Sequence, residues 1–81
     1  MPLEAIYAKL TEILRDVFDD DDVVARPDLT ADDVERWDSY AHIRIMLAAE
    51  HAFGVEFTGA EIASLANVGD LALLVAAKLP V

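Results

Sequence analysis

No cysteine occurs among the 81 residues of this chain. A chain without thiols has no disulfide, no thiolate metal site and no cysteine nucleophile, so any thiol chemistry must come from an attached group. The sequence also has no apolar run long enough to span a membrane, and its first residues lack the basic and then apolar pattern of a secretory signal. We therefore expect a cytoplasmic protein.

Positive charge is scarce as well. The chain has 6 basic and 16 acidic residues, which gives a formal net charge of -10. A protein that binds a phosphate backbone needs the opposite sign, so nucleic acid and anionic membrane surfaces are not expected partners. Enzymes that present Arg and Lys patches would be attracted instead. The acidity is also consistent with a role in solubility alone.

Apolar residues recur at helical spacing in the first part of the chain. The positions of this pattern are Leu3, Ile6, Tyr7, Leu10, Ile13, Leu14, Val17 and Phe18. Their spacing predicts an amphipathic helix over residues 3–18. Residues 19–37 have loop character, because Pro27 cannot continue a helix and Thr30 would cap no more than a single turn.

Two capping patterns follow in the second half of the chain. Thr58 and Glu61 form a capping box for a short third helix that ends near Leu65. Asn67 and Asp70 begin a fourth helix. The expected fold is therefore all-α: a small four-helix bundle with a long loop between helices one and two and a short third helix, formed by the whole chain as a single domain.

The most informative stretch is Trp37-Asp38-Ser39-Tyr40, which places a serine hydroxyl in the first turn of the second helix. Asp38 is a capping residue, and Gly54 is a stop signal. One face of this helix carries the apolar residues that we expect in the core: Ile43, Met46, Leu47 and Phe53. The start of a helix favours a phosphoryl group through its N–H groups and its dipole, so an exposed Ser39 is suited to carry a phosphate ester.

Two other roles for Ser39 must be weighed. Asp and Ser are ordinary residues at the start of a helix, so a purely structural role is the simplest alternative. A catalytic nucleophile with His42 as its base has less support. An active triad also needs an orienting carboxylate and an oxyanion hole in a cleft, and the chain has no G-x-S-x-G pattern.

No metal site is predicted. The run Asp19–Asp22 does not begin an EF-hand loop, because the glycine and glutamate that such a loop needs are missing. His42 and His51 lie too far apart along a helix to bind one ion together, and both are expected to face solvent. The indole of Trp37 is expected to be partly buried as a packing anchor.

From Asp38 and Ser39 onward, the order of features resembles the acyl carrier protein family. Its members have D-S-L at the start of helix two, then an apolar helical stripe, an F-G-V or F-D-I exit and a short acidic third helix. Here the exit reads Phe53-Gly54-Val55, and the family's T-V-G-D-L-like phrase before helix four is matched by Asn67-Val68-Gly69-Asp70-Leu71. The resemblance covers roughly the whole chain, and Tyr40 departs from it by standing where the family usually has leucine.

This resemblance implies a carrier protein rather than an enzyme. A separate phosphopantetheinyl transferase would use coenzyme A to attach phosphopantetheine to Ser39, and the thiol of that arm would hold an acyl or aminoacyl group as a thioester. Asp38 would act as the helix cap and in recognition by the transferase. Enzymes that load and process the acyl group would be the other partners of a monomeric protein.

Helix two is also where the family presents itself to partner enzymes. The corresponding positions here are Tyr40, His42, Ile43, Arg44 and Glu50, a stretch less acidic than in housekeeping fatty-acid carriers. The resemblance therefore favours a discrete carrier of a specialised pathway, such as a polyketide, nonribosomal or aminoacyl system. Two alternatives remain: a housekeeping fatty-acid carrier, and a non-carrier helical module that binds a basic or amphipathic partner and does not need Ser39.

Overall fold

Four α-helices and one short 3₁₀ turn make up the computed structural model, which describes residues 2–79. In chain order they are α1 (Leu3–Phe18), the 3₁₀ turn (Ala31–Asp33), α2 (Ser39–Phe53), α3 (Gly59–Ala63) and α4 (Val68–Lys78). No β-strand occurs between residues 2 and 79. The all-α prediction is confirmed, including the long connection before α2 and the short α3.

Helix α1 is amphipathic, as its periodicity predicted. Its buried side chains are Ile6, Leu10, Ile13, Leu14 and Phe18, whereas Leu3 at its start stays exposed. The helix ends at Asp19, which adopts the left-handed conformation (φ 50°) and donates its N–H to the carbonyl of Arg15. The buried face of α1 packs against both α2 and α4, and one apolar cluster joins the three helices.

The face of α2 that reaches this core differs from the predicted one. Its buried residues are Ala41, Ile45, Met46, Ala49 and Phe53. The prediction was right for Met46 and Phe53 and wrong for Ile43 and Leu47, which are 54% and 59% exposed. Apolar residues occur on several sides of α2, so the spacing alone did not fix which side packs. The small side chains of Ala41 and Ala49 allow close packing of that side instead.

The connection between α1 and α2 is held to the rest of the fold along much of its length. Arg15 donates from Nε to the carbonyl of Val23 at 2.9 Å, and the N–H of Ala25 donates to Thr11 Oγ1 at 3.0 Å. Arg36 donates from Nη2 to the carbonyl of Phe18. These bonds hold the loop against α1.

The same connection lies along the start of α4. The N–H of Val68 donates to the carbonyl of Leu29 at 2.8 Å, and the N–H of Gly69 donates to the carbonyl of Pro27 at 3.0 Å. A Cβ atom at position 69 would stand 2.8 Å from that carbonyl oxygen, so the close approach requires glycine. The loop is therefore part of the packed structure.

Local capping sets the starts of the last two helices as predicted. Thr58 and Glu61 form the capping box of α3, and Asn67 Oδ1 accepts the N–H of Asp70 at 2.8 Å at the start of α4. Helix α3 ends at Ala63, slightly before the predicted end near Leu65. Across residues 2–79, every helix is too short or too polar to cross a lipid bilayer.

Candidate functional site

Ser39 occupies the first position of α2, and its side chain is exposed. Asp38 is the residue before it, and the carboxylate of Asp38 accepts the N–H of Ala41 at 2.8 Å. The carbonyl of Asp38 accepts the N–H of His42 at 2.9 Å. The predicted capping role of Asp38 is confirmed, and it holds the serine at an accessible helix start.

This arrangement leaves two amides at the open end of α2. Within the described part of the chain, the N–H groups of Ser39 and Tyr40 have no hydrogen-bond acceptor. They point in the direction of the helix start, where the dipole contributes partial positive charge. The first turn of α2 therefore suits a phosphate group bonded to Ser39.

His42 is half-buried rather than solvent-facing, so that prediction was wrong. Its Nδ1 accepts the indole N–H of Trp37 at 3.2 Å, and its Nε2 lies 3.5 Å from the carbonyl oxygen of Ile62 in α3. Trp37 is itself half-buried, as predicted, and its ring packs against that of Phe18 with 5.6 Å between centroids. His51 is exposed, as predicted.

These contacts also bear on the alternative in which Ser39 is a nucleophile. The ring nitrogens of His42 lie against the indole N–H of Trp37 and the carbonyl of Ile62, and among residues 2–79 neither forms a hydrogen bond with the serine hydroxyl. A general base must lie within hydrogen-bond reach of the hydroxyl that it deprotonates. The geometry therefore gives no support to a Ser39–His42 catalytic pair.

Glu50 was expected on the exposed face of α2, and this prediction was wrong. The residue is half-buried, and its carboxylate accepts the N–H of Phe57 at 2.7 Å. Its backbone carbonyl accepts the N–H groups of Gly54 and Val55. Gly54 has φ 67°, so the chain reverses direction there and brings Phe57 back to Glu50. Glu50 thus stabilises the end of α2.

The exposed surface beside Ser39 is mostly apolar. Tyr40, Ile43 and Leu47 are 71%, 54% and 59% exposed, and they lie at successive turns of one side of α2. Arg44 is exposed between them. Its guanidinium carbon lies 5.8 Å from the centre of the Tyr40 ring, within the range of a cation–π interaction.

An open groove lies on the other side of Ser39, between the start of α2, the 3₁₀ turn and α3. This outer groove has a volume of about 670 Å³. Its lining consists of Ala31, Trp37, Asp38, Ser39, His42, Ile43, Gly59, Ile62, Ala63 and Leu65. Because Ser39 is part of the wall, a group bonded to its hydroxyl can extend directly into the groove.

A smaller, partly open pocket adjoins the outer groove. Its volume is about 50 Å³, and its lining is Leu29, Thr30, Ala31, Trp37, His42, Met46, Leu65, Ala66, Asn67, Val68 and Leu71. Four residues line both spaces: Ala31, Trp37, His42 and Leu65.

Helix α3, which forms one wall of the outer groove, is tied to α4. The carboxylate of Glu61 accepts the N–H of Thr58 at 2.8 Å and lies 3.0 Å from the ammonium of Lys78. The backbone hydrogen bond from Thr58, and then the charge and hydrogen bond of Lys78, lower the pKa of Glu61 below its ordinary value. The charged carboxylate therefore links the start of α3 to Lys78 at the end of α4.

Potential metal ligands are dispersed over the described residues. No group of three or more His, Asp or Glu side chains is close enough together in residues 2–79 to hold an ion.

Sequence reasoning did not find the hydrogen bond between Trp37 and His42. The two residues stand on either side of the helix cap, and nothing in their spacing indicates that the indole turns back over α2. The contact depends on how residues 19–37 fold onto α1 and α4, which is a property of the tertiary structure.

The chain is similar to one solved structure with a named function. No protein-family profile matches the chain, and no curated protein sequence does so. The solution NMR structure of a holo acyl carrier protein from Geobacter metallireducens is 42% identical to this chain. The similarity covers 96% of this chain and 86% of that chain, with a TM-score of 0.83.

Proposed function

The chain belongs to the acyl carrier protein family, and we propose that it carries acyl or aminoacyl groups on a phosphopantetheine arm attached to Ser39. It is a carrier protein rather than a catalyst. The observation that most supports Ser39 as the attachment residue is its exposure at the first position of α2, beside the outer groove.

Coenzyme A is the donor of the phosphopantetheine arm, and a separate transferase catalyses its attachment. Ser39 Oγ forms a bond to the phosphorus next to the pantetheine, the phosphoanhydride bond of coenzyme A breaks, and adenosine bisphosphate leaves. The hydroxyl proton goes to a base of the transferase. The exposed N–H groups of Ser39 and Tyr40 favour the negative charge of the resulting phosphodiester.

When bound, phosphopantetheine supplies the thiol that holds the acyl group as a thioester. The chain has no cysteine, so the arm's thiol is the sole group that can hold a thioester. The protein's own residues present the serine, keep the helix start open and offer the outer groove. Asp38 contributes by capping α2, and we propose that the transferase also contacts it.

The exposed face of α2 supports a partner surface made of Tyr40, Ile43, Arg44 and Leu47. Residues 39–49 contain no acidic side chain, although the whole chain has a net charge of -10. Glu50 is engaged by the N–H of Phe57, and His42 is turned toward Trp37. We propose that partner enzymes meet this face with an apolar surface and a carboxylate opposite Arg44.

A partner surface that is apolar and carries Arg44 favours a carrier of a specialised pathway over a housekeeping fatty-acid carrier, whose second helix is acidic. We further propose a monomeric, single-domain carrier that works in the cytoplasm with its transferase and its loading and processing enzymes. The housekeeping role is the alternative, and it predicts efficient loading by enzymes that recognise acidic second helices.

Intact mass tests the attachment. The protein is measured before and after incubation with coenzyme A and a broad-specificity phosphopantetheinyl transferase, alongside Ser39→Ala and Ser64→Ala. Ser39 and Ser64 are the two serines of the chain, and Ser64 Oγ donates to the carbonyl of Glu61 at 2.9 Å. One phosphopantetheine should add to the wild type and to Ser64→Ala, and none to Ser39→Ala. Addition to Ser39→Ala would disprove the assignment.

A further inference from the structure

A side-chain hydrogen bond spans the segment that contains Ser39. Trp37 precedes the serine and His42 follows it, and the indole N–H of Trp37 donates to Nδ1 of His42 at 3.2 Å. We call this contact the Trp37–His42 bridge. Between its ends, the N–H of Asp38 donates to the carbonyl of Arg36 at 3.0 Å, and the Asp38 carboxylate caps the helix. The turn that presents the serine is therefore fixed on both sides.

Each end of the bridge is also in contact with another helix. The ring of Trp37 packs on the buried ring of Phe18 in α1, with 5.6 Å between the centroids. Nε2 of His42 lies 3.5 Å from the carbonyl oxygen of Ile62 in α3. The bridge therefore connects the start of α2 with both of these helices.

The position of the serine hydroxyl depends on this turn. The hydroxyl takes no part in the bridge or in the Asp38 cap, and the side chain of Ser39 is exposed. In the proposed attachment, the hydroxyl must approach the phosphorus of coenzyme A in line with the bond that breaks. A displacement of about 1 Å between reacting groups can lower a rate by about 100-fold. Groups that fix the turn can therefore affect the rate without touching the serine.

We propose that Trp37 and His42 are positioning residues for the modification of Ser39. The bridge holds the first turn of α2 in the arrangement on which the transferase acts, so little reorganisation is needed when the phosphoryl group is transferred. Both residues act through the turn and not through a contact with coenzyme A. This inference rests on the proposed attachment at Ser39.

The bridge requires one protonation state of His42. An indole N–H can only donate, so Nδ1 must be unprotonated to accept it. A proton on Nδ1 occupies the lone pair and removes the hydrogen bond. Histidine commonly gains its charge between about pH 8 and about pH 5. We therefore expect the bridge to open in mild acid.

Charged side chains adjoin the residues that surround His42. They are Arg36 and Asp38 on either side of Trp37, Asp32 beside Ala31, Glu61 beside Ile62, and Asp70 beside Leu71. Asp32 is exposed, and each of the others forms a hydrogen bond with a backbone group. None of these bonds is made to the imidazole. A change at Trp37 in mild acid would therefore report the proton on His42.

Four single variants test the bridge in the attachment reaction. Trp37→Phe keeps a ring against Phe18 and loses the N–H, and His42→Leu loses the acceptor. His42→Asn keeps an oxygen near the position of Nδ1. His51→Leu, an exposed change in the same helix, is the control for loss of a histidine. With coenzyme A and a broad-specificity transferase, intact mass at timed intervals gives kcat and KM for each carrier, and circular dichroism checks that each is folded.

The expected pattern differs from that of a general loss of stability. In Trp37→Phe and His42→Leu, kcat should fall about threefold to tenfold, the range that corresponds to one ordinary hydrogen bond, while KM changes little. His42→Asn should recover most of the wild-type kcat, and His51→Leu should match the wild type. The double variant Trp37→Phe/His42→Leu should be no slower than the slower single variant, because both changes remove the same bond.

The pH dependence tests the bridge without removing it. Trp37 is the single tryptophan of the chain, so its emission reports on this contact. Between about pH 8 and about pH 5, the emission maximum should shift in the wild type and stay constant in His42→Asn. The ratio of the wild-type kcat to that of His42→Asn should fall over the same range. Both carriers are assayed with one transferase, so its own pH dependence cancels in this ratio.

The outcomes separate this inference from the proposed function. If no mass is added at Ser39 of the wild type, the attachment is wrong and the inference fails with it. If mass is added but Trp37→Phe and His42→Leu keep the wild-type kcat, the carrier function stands and the positioning role is disproved. Additive losses in the double variant, or a kcat ratio that is constant with pH, would show that the bridge does not control the rate.

Discussion

The guanidinium carbon of Arg44 lies over the ring of Tyr40, 5.8 Å from its centre, and Tyr40 directly follows the proposed attachment serine. The pair combines a positive charge with an exposed aromatic surface on a helix face that has no acidic side chain between residues 39 and 49. The face of an aromatic ring attracts a cation, so the ring favours this position of the guanidinium. The pair is therefore well placed to recognise a carboxylate beside an apolar surface.

Reversal of the charge in Arg44→Glu should weaken recognition by the enzyme that loads this carrier. We expect KM for the carrier to rise while the free energy of unfolding changes by no more than about 0.5 kcal/mol, because the side chain is exposed. Lys9→Glu is the matched control: it changes the net charge equally at an exposed position of α1. Equal KM values for the two variants would show that Arg44 is not part of the partner surface.

Ile43 and Ile45 offer a direct comparison of the two sides of α2. Ile45 is fully buried and Ile43 is 54% exposed. Ile45→Ala should lower the free energy of unfolding by about 2 to 5 kcal/mol, since it removes buried methyl groups and leaves a cavity. Ile43→Ala should change it by about 0.5 kcal/mol or less. Chemical denaturation measures both, and similar losses would contradict the orientation of the helix.

Asp38 has two proposed roles that substitutions can separate. Asp38→Ala loses the bond to the N–H of Ala41 and should cost about 1 kcal/mol of stability. Asp38→Asn keeps a capping oxygen and loses the charge, so its stability should stay near that of the wild type. If the transferase recognises the carboxylate, Asp38→Asn should still accept phosphopantetheine more slowly. If phosphopantetheine is transferred to Asp38→Asn at the wild-type rate, Asp38 acts only as the cap of α2.

Glu61 should make the protein less stable in acid. Its pKa in the folded protein is lowered from 4.5, first by the N–H of Thr58 and then by Lys78. A lowered pKa means that the charged carboxylate stabilises the fold above pH 4.5, and that this stabilisation is lost as the pH falls through the lowered value. Glu61→Gln should therefore lose less stability than the wild type between neutral and acidic pH. Thermal melting at neutral and acidic pH measures this difference. If the melting temperatures of the wild type and Glu61→Gln fall equally, Glu61 does not make this contribution.

Much of the fold was predictable because its signals are local. The cap pairs Thr58–Glu61 and Asn67–Asp70 lie three residues apart, and each forms as the sequence indicates. Asp38 caps α2 for the same reason. Such contacts depend on one turn of chain and not on the packing of distant segments.

The side of α2 that faces the core was not predictable in the same way. Ile43 and Leu47 are as apolar as the buried Ile45, so composition alone does not distinguish them. The surroundings of His42 and Glu50 were missed because each is reached by a segment that folds back over the helix: Trp37 from the long loop and Phe57 after the reversal at Gly54. Neither contact exists before the tertiary structure forms.

The connection from α1 to α2 has two halves that would respond differently to an inserted peptide. Around Asp20 and Asp22 the bonds are short-range, to Arg15 and within the turn itself. Farther along, the backbone of residues 27–29 accepts bonds from the start of α4, where position 69 leaves no room for a side chain. An epitope tag or a fluorescent peptide is therefore best inserted between Asp21 and Asp22, where the backbone is exposed and no distant segment depends on it.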